Sequence, residues 1–275
     1  MNPKTLLDRH ALVPKKSLGQ NFLHDPNALD KILATAEVQP TDTVLEIGPG
    51  TGQLTRVLAE AARRVVAVEI DTRLQPILEA EFADQPHVEF VWGDFLAFDP
   101  VALAGEAYVV VANVPYYITS AILRHLLEAR TRPRRIVMTI QLEVAERVCA
   151  KPGDMSLLAV SVQFYGKATF AGKLNAAVFW PRPEVESAVL RVDTYAQPPV
   201  DVPSEAAFFR VVRAGFSQKR KQLKNALAGG LRLDAAQLGA LAAQAQIDLT
   251  RRAETLALDE WAALARAHAA LLSES

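Results

Sequence analysis

The sequence predicts an α/β chain: a doubly wound, mostly parallel sheet with helices on both faces, followed by a small all-helical domain. Three observations predict it. Short apolar runs rich in β-branched residues alternate with segments of helical spacing from residue 44 to residue 150. Gly48, Gly50 and Gly52 lie between one such run and its helix. That strand, glycine turn and helix start would open a ligand crevice at the carboxyl end of a parallel sheet. Beyond Ser204 the strand pattern stops and every periodic stretch has helical spacing.

Taken in order, residues 1–24 are a basic arm ending in Lys15-Lys16-Ser17-Leu18-Gly19-Gln20-Asn21-Phe22-Leu23-His24. It is too polar for a core strand, and its Phe22-Leu23 pair suits a segment laid over the domain. Asp25-Pro26 reads as an N-cap followed by proline in the first turn, opening a helix through about Ala36. Gln39 to Asp42 is a turn. Val44 to Ile47 is the opening buried strand, and Gln53 to Glu60 is its helix. Arg64 to Ile70 is the second strand, Thr72 to Phe82 a helix, His87 to Val91 the third strand and Tyr108 to Ala112 the fourth. Thr119 to Ala129 is a helix, Arg135 to Ile140 the fifth strand, and Glu143 to Ala150 a further helix. Leu157 to Phe170 and Ala188 to Val192, with the Pro181-Arg182-Pro183 bend between them, are expected as strands of an antiparallel edge. Residues 194–204 hold three prolines and few apolar residues and read as a linker. Helices are expected at Glu205 to Ala214, Lys219 to Leu227, Asp234 to Ala243 and Asp259 to Leu272. The expected domains are therefore 1–198 and 199–275, the second large enough to fold separately.

Composition limits the functional classes. Half of the 275 residues are hydrophobic and 22% are charged, the signature of a globular chain with a sizeable core. No apolar run reaches bilayer-spanning length, and the N-terminus has no signal-peptide core. A cytoplasmic location is expected. A single cysteine, Cys149, excludes an internal disulfide framework and a Cys-rich zinc site, and the five histidines show no metal-ligand spacing, so no metal is expected. Net charge is −1, but it is unevenly spread. Glu37 to Glu106 holds thirteen acids against four bases, whereas Arg210 to Lys224 holds six bases (Arg210, Arg213, Lys219, Arg220, Lys221, Lys224) and no acid. Arg124 to Lys151 adds seven bases against three acids. A nucleic-acid binder needs one basic face, not a basic total, although a charge run is also what any solvated face shows.

The glycine turn is not a dinucleotide fingerprint, because Gln53 stands where glycine or alanine is needed, and no lysine follows to make a phosphate loop. Glu46 inside the strand before the turn would repel phosphate and favour a cationic or amine-bearing ligand. Glu69 ends the second strand nineteen residues after Gly50, a spacing suited to gripping both ribose hydroxyls. Asp94 follows the third strand, placed to accept from an adenine amino group. Singly, each acid is as well a surface or capping group; three in register beside a glycine turn describe a nucleoside whose remaining part is compact. Asn113-Val114-Pro115-Tyr116-Tyr117 follows the fourth strand. An asparagine carbonyl, a proline that leaves neighbouring carbonyls unpaired, and an aromatic face together suit a flipped base held at its amino group. These residues alone also fit a strand-to-helix turn with an asparagine cap.

The ordered set Gln20-Asn21-Phe22-Leu23, Glu46-Ile47-Gly48-Pro49-Gly50-Thr51-Gly52, Glu69, Gly93-Asp94, Asn113-Val114-Pro115-Tyr116, Gln141 to Arg147 and Phe179-Trp180-Pro181-Arg182-Pro183-Glu184-Val185-Glu186-Ser187 resembles the KsgA-type ribosomal RNA adenine dimethyltransferases. Phe208, Phe216 and Lys219-Arg220-Lys221 resemble that family's C-terminal domain. The resemblance implies a Rossmann-like methyltransferase sheet and S-adenosylmethionine as methyl donor. It implies that Asn21 and Leu23 cover the donor, Gly48 and Gly50 contact its methionine end, Glu69 its ribose and Asp94 its adenine. It also implies that Asn113 and the carbonyl near Pro115 hold the target amine, between Tyr116 and Phe179. The implied substrate is two adjacent adenosines in the hairpin loop near the 3′ end of small-subunit ribosomal RNA, in an immature small subunit. The expected enzyme is a monomer with no membrane partner, its basic residues Arg210, Lys219, Arg220, Lys221 and Lys224 on RNA. Val114 departs from the commoner leucine without touching the chemistry. A large-subunit RNA methyltransferase of the antibiotic-resistance type shares these motifs. A DNA adenine methyltransferase would need a larger recognition domain, and a non-catalytic assembly factor would not need an intact donor pocket.

Overall fold

The computed structural model describes residues 2–218 and 220–273, and the chain divides into two compact units. Residues 1–145 and 167–194 make the first, and 146–166 with 195–275 make the second. The linear division at 198/199 thus leaves out a stretch, 146–166, that belongs with the helical unit.

The first unit contains, in order, α1 (Pro3–Arg9), β1 (Phe22–Leu23), α2 (Pro26–Ala36), β2 (Thr43–Ile47), α3 (Gln53–Ala61), β3 (Arg64–Glu69), α4 (Gln75–Glu81) and β4 (Val88–Trp92). These are followed by α5 (Pro100–Ala104), β5 (Tyr108–Asn113), α6 (Thr119–Leu127), β6 (Arg135–Gln141), the start of α7 (Leu142–Val148), β7 (Gly166–Leu174), β8 (Phe179–Trp180) and β9 (Ser187–Thr194). Seven strands form one sheet in the order β4-β3-β2-β5-β6-β9-β7. β4, β3, β2, β5 and β6 run parallel, and β9 pairs antiparallel to β6, as the change of period predicts. Ile47 is level with Val68 and Ala112, and Glu69 with Trp92, so the loops after β2, β3, β4 and β5 open at the same end of the sheet.

Val44, Val65, Val109, Val111 and Val137 bury one face of the sheet under Leu29, Ile32, Leu54 and Leu58 of α2 and α3. Strands covered on both faces read as continuous β-branched runs, which is why they are legible. A second cluster joins Leu6 and Leu7 of α1 to Phe22, Leu74, Ile77, Leu78 and Phe82. Residues 3–9 are therefore helical, not part of a plain basic arm. Asn2 accepts from Lys4 N–H with Pro3 in the first turn, the same cap chemistry that opens α2 at Asp25-Pro26. Arg135, buried, bonds Asp193 of β9 at 2.6 Å and the Ala36 carbonyl at the end of α2 at 2.9 Å. Arg191 bonds Glu37 at 2.6 Å and Asp193 at 2.7 Å, so charged bonds join α2 to the antiparallel edge.

The second unit holds α8 (Leu157–Tyr165), α9 (Glu205–Phe216), α10 (Leu223–Leu231), α11 (Ala235–Ala245) and α12 (Leu258–Ser273). Residues 157–165 are expected as strand and are helix instead; only 166–174 form strand. Val160, Val162 and Phe164 alternate with Ser161 and Gln163, a strand-like period, but Ser156 caps Ala159 N–H at 3.1 Å and opens a helix. Phe164 stacks on Phe208 of α9 with ring centroids 4.4 Å apart, which draws α8 into this unit. α10 begins at Leu223, with residues 220–222 outside it; Leu223 and Lys224 N–H donate to the Arg251 and Leu249 carbonyls, partners no local pattern reveals. Among the described residues no helix is long and apolar enough to cross a membrane.

Candidate active site

The site begins at the turn after β2. Gly48 and Gly50 have φ of +74° and +59°, a region that penalises any Cβ. A Cβ on Gly48 would lie 3.1 Å from the Asn113 carbonyl oxygen, and one on Gly50 would lie 2.8 Å from Phe22 Cδ1. Glycine here lets the turn pass close beneath β1 and the end of β5. The resulting cleft spans about 1020 Å3 with its open mouth included. It is walled by residues 18–23, the glycine turn, Glu69 and Ile70, residues 93–95, residues 113–118 and Phe179. Of the sequence-predicted donor and base residues, the cleft brings together Asn21, Leu23, Gly48, Gly50, Glu69, Asp94, Asn113, Pro115, Tyr116 and Phe179.

Glu46 is the exception. It is fully buried between its strand neighbours and does not line the cleft. Neither carboxylate oxygen has a hydrogen-bond partner; Thr55 Oγ1 lies near it without reaching bonding geometry. Burial, reinforced by the charge of Glu69, pushes its pKa up to about 8, with Thr55 a smaller opposing influence. Glu46 therefore carries a proton at neutral pH. The direct attraction for a cationic ligand expected of it is absent.

Glu69 is 5% exposed and fixed from two sides: Oε2 accepts Gly50 N–H at 3.0 Å and Oε1 accepts Asp71 N–H at 2.8 Å. Burial raises its pKa, and these two N–H groups work against the rise. Each oxygen keeps a further lone pair, so a rigid two-oxygen acceptor faces the cleft. Beside it, Asp71 is held well below the usual carboxylate range by the Arg73 guanidinium, whose Nη2 is 2.6 Å from Oδ2. Gln20 Nε2 donates to the same Oδ2 at 2.9 Å while its Oε1 accepts Lys15 N–H at 2.7 Å. These bonds tie the segment before β1 to the rim. Asp94 is exposed and spends Oδ1 on Leu96 N–H at 3.0 Å, which leaves Oδ2 toward the cleft.

At the opposite wall Asn113 Nδ2 donates to the Asn21 carbonyl at 3.3 Å, so its Oδ1 is the acceptor left to a ligand. Of the carbonyls near Pro115, where the second acceptor is expected, that of Pro115 itself accepts Ile118 N–H at 3.2 Å. Among the described residues no backbone N–H outside the helices and strands donates to the Val114 carbonyl. The Tyr116 hydroxyl bonds Ser187 Oγ at 2.5 Å, and Ser187 is fully buried at the start of β9. Burial raises the Tyr116 pKa and the Ser187 bond opposes it, so the phenol stays protonated at neutral pH. Phe179 lines the cleft but is only 2% exposed, in the same core cluster as Leu23 and Leu29. Ser187, Gln20 and Asp71 make contacts at the site that sequence reading does not assign. Ser187 and Gln20 lie inside recognised motifs, but their partners are distant in sequence.

In the second unit Arg210, Arg213, Arg220, Lys221 and Lys224 are all exposed, and none forms an ion pair among the described residues. Lys219, expected with them, lies outside the described residues. No group of three or more His, Cys, Asp or Glu among the described residues could hold a metal ion.

Comparison with known proteins bears on this geometry. The family model described as "Ribosomal RNA adenine dimethylase" matches residues 12–265. A protein from Moorella thermoacetica named "Ribosomal RNA small subunit methyltransferase A" is 46% identical over 273 residues, covering 95% of this chain and 94% of its own. One of the same name from Dehalococcoides mccartyi (strain CBDB1) is 43% identical, covering 94% and 89%. Among solved structures, the 23S rRNA methyltransferase ErmE superposes with a TM-score of 0.73 at 32% identity, covering 90% of this chain and 99% of its own. A dimethyladenosine transferase from Plasmodium falciparum gives 0.69 at 25% identity, covering 88% and 95%. The match runs through the cleft residues and both units, and the chain belongs to the ribosomal RNA adenine dimethylase family.

Proposed function

We propose that this enzyme moves methyl groups from S-adenosylmethionine to the exocyclic amines of two adjacent adenosines in the 3′-terminal hairpin loop of small-subunit ribosomal RNA. The products would be N6,N6-dimethyladenosines, made during small-subunit biogenesis in the cytoplasm by a monomer without a metal. The observation that carries the reading is one cleft that holds both sets of residues. At one part of its wall Glu69 accepts from the glycine turn, which would form a nucleoside cradle, and at another stand Asn113, whose amide nitrogen is already bonded, Val114 and Tyr116. The greater identity of the relatives named for the small subunit favours that target over the large-subunit RNA of the more distant ErmE.

The residues fit the donor on structural grounds. The glycine turn leaves room a Cβ would fill, Glu69 would hold the ribose, and Asp94 Oδ2 would accept from the adenine amine. Asn21 and Leu23 would close over it from the segment before β2. The donor supplies, when bound, an electrophilic methyl on a sulfonium that departs as a neutral thioether. The chain supplies alignment. Two acceptors aimed at the two N–H bonds of the target amine favour a pyramidal nitrogen, whose lone pair is then available for in-line attack. The proton released from the methylated nitrogen passes to solvent, and no side chain is required as base. Catalysis of this kind rests on bonds that strengthen in the transition state, so Asn113 belongs to kcat more than to binding.

Transfer of labelled methyl to isolated small-subunit particles, set beside large-subunit RNA and duplex DNA, tests the reading. Label in one small-subunit loop alone is expected. Label confined to large-subunit RNA would move the substrate and keep the chemistry; none on any RNA would end the proposal.

A further inference from the structure

Tyr117 is 70% exposed, yet its residue lines the same cleft as Tyr116 and Asn113. No aromatic ring among the described residues stacks on it, and its hydroxyl makes no hydrogen bond among them. A Cβ on Gly19, which has φ +55°, would lie 3.6 Å from Tyr117 Cε1, so bare glycine of the segment before β1 passes beside the ring.

The local backbone explains why two consecutive tyrosines serve different places. Residues Tyr116–Ile118 form one 3₁₀ turn, in which successive side chains point roughly 120° apart. Tyr116, anchored by Ser187, takes the inner direction, and Tyr117 is left at the mouth. The turn is held by the bond from Ile118 N–H to the Pro115 carbonyl, and Pro115 fixes its entry. Tyr117 is thus an aromatic side chain on a held backbone turn, open to solvent and next in sequence to Tyr116.

Extracting a base from a stacked strand strips each flanking base of a neighbour, and that lost stacking is part of the cost of flipping. An aromatic side chain at the mouth can restore it, and such stacking tolerates any base because every base has a π-face. We infer that Tyr117 is a second base-binding subsite: it stacks on the nucleotide flanking the target adenosine and so stabilises the flipped state. The inference rests on the reading of the cleft as an RNA adenine site, which it deepens.

The test uses the whole protein and short hairpin RNAs carrying the target loop, with 2-aminopurine replacing the 5′ or the 3′ neighbour. This fluorophore is dark when stacked and bright when not. With wild type, and with Tyr117→Phe, one of the two probes stays dark in the complex; with Tyr117→Ala the same probe brightens. No methyl donor is needed for this readout. In methyl transfer, Tyr117→Ala should raise KM for the hairpin roughly tenfold, with the Phe variant close to wild type. An RNA abasic at that neighbour should be used equally by wild type and Tyr117→Ala. Equal fluorescence in both complexes, or a deficit of Tyr117→Ala that persists on the abasic RNA, overturns the subsite. Failure of the underlying reading is distinct: wild type itself would transfer no label to any RNA.

Discussion

Tyr116 carries two functions that separate only at the level of atoms. Its ring faces the cleft while its hydroxyl satisfies Ser187, which has no access to water. Tyr116→Phe keeps the ring but strands a buried hydroxyl, so it should lose about 1–2 kcal/mol of stability and lower turnover only a few-fold. Ser187→Ala should behave alike, and the double variant should cost less than the sum, since both singles break one bond. Single-turnover methylation with thermal melting checks this. A Phe variant that binds RNA and donor but transfers no methyl, beside an active Ser187→Ala, would place the hydroxyl in the chemistry. The candidate stretch at this wall of the cleft is legible in the sequence, because Asn113 to Tyr116 are contiguous. Their supports are not: Ser187 lies 71 residues away and meets Tyr116 only once β9 has paired with β6. Glu46 shows the converse. Its place before the glycine turn suggests a ligand, but residues 44 and 46 share one strand face, and Val44 of that face sits in the core under α3. The folded carboxyl, raised to about 8 from an ordinary 4.5, binds a proton that the unfolded chain releases. Stability supported by that proton is full below the unfolded value and declines as pH rises toward the folded one. Glu46→Gln, with nothing to titrate, should flatten the loss of melting temperature between pH 5 and about 8. Parallel pH profiles for variant and wild type would show that Glu46 does not titrate in this window.

At the scale of elements, the parts that position the site were predictable where a pattern is repeated and opaque where tertiary partners decide. β2, β3, β5 and β6 announce themselves as β-branched runs, and α2 by its Asp25-Pro26 cap. α1 has the same cap at Asn2-Pro3, but the basic residues around it mask a short helix whose two leucines reach the core. α8 reads as strand because Val160, Val162 and Phe164 alternate with Ser161 and Gln163, and its partner Phe208 lies more than forty residues onward. The segment before β1 is the element on which function turns, since it walls the cleft and passes beside Tyr117. Gln20 is its fastening, bonded at once to Lys15 N–H within the segment and to Asp71 beyond it. Gln20→Ala should cost about 1 kcal/mol of local order, one hydrogen bond's worth to a charged partner being the larger part. Hydrogen exchange should then quicken for amides of residues 15–23 while those of β2 and β5 keep their rates, and the donor should dissociate several-fold faster. Unchanged exchange in 15–23 would mean that packing of Phe22 and Leu23, not Gln20, fixes the segment.

Across the whole molecule the charges are sorted, although their total is −1. The thirteen acids and four bases of Glu37 to Glu106 lie in the first unit, and the six bases of Arg210 to Lys224 lie in the second. This sorting was readable at once from the sequence. What the structure adds is that the described members of the basic run stand exposed and without ion-pair partners, so each remains available to a phosphate. Arg220 and Lys221 lie between the end of α9 and the start of α10, outside the packed faces that hold Phe208, Phe216 and Leu223. Removing their charges therefore leaves the core of the helical unit intact. If the run is where RNA backbone is held, each cation displaces counterions that salt returns, and the logarithm of affinity falls linearly with the logarithm of salt. Arg220→Ala with Lys221→Ala should weaken RNA binding and reduce the magnitude of that slope by roughly one to two. Donor binding, which belongs to the cleft of the first unit, should stay at wild-type strength, separating loss of docking from loss of fold. Titrations of small-subunit RNA across a salt series measure both quantities. A slope equal to wild type would assign the basic run to solvent and leave the phosphate contacts to be sought among the bases of Arg124 to Lys151.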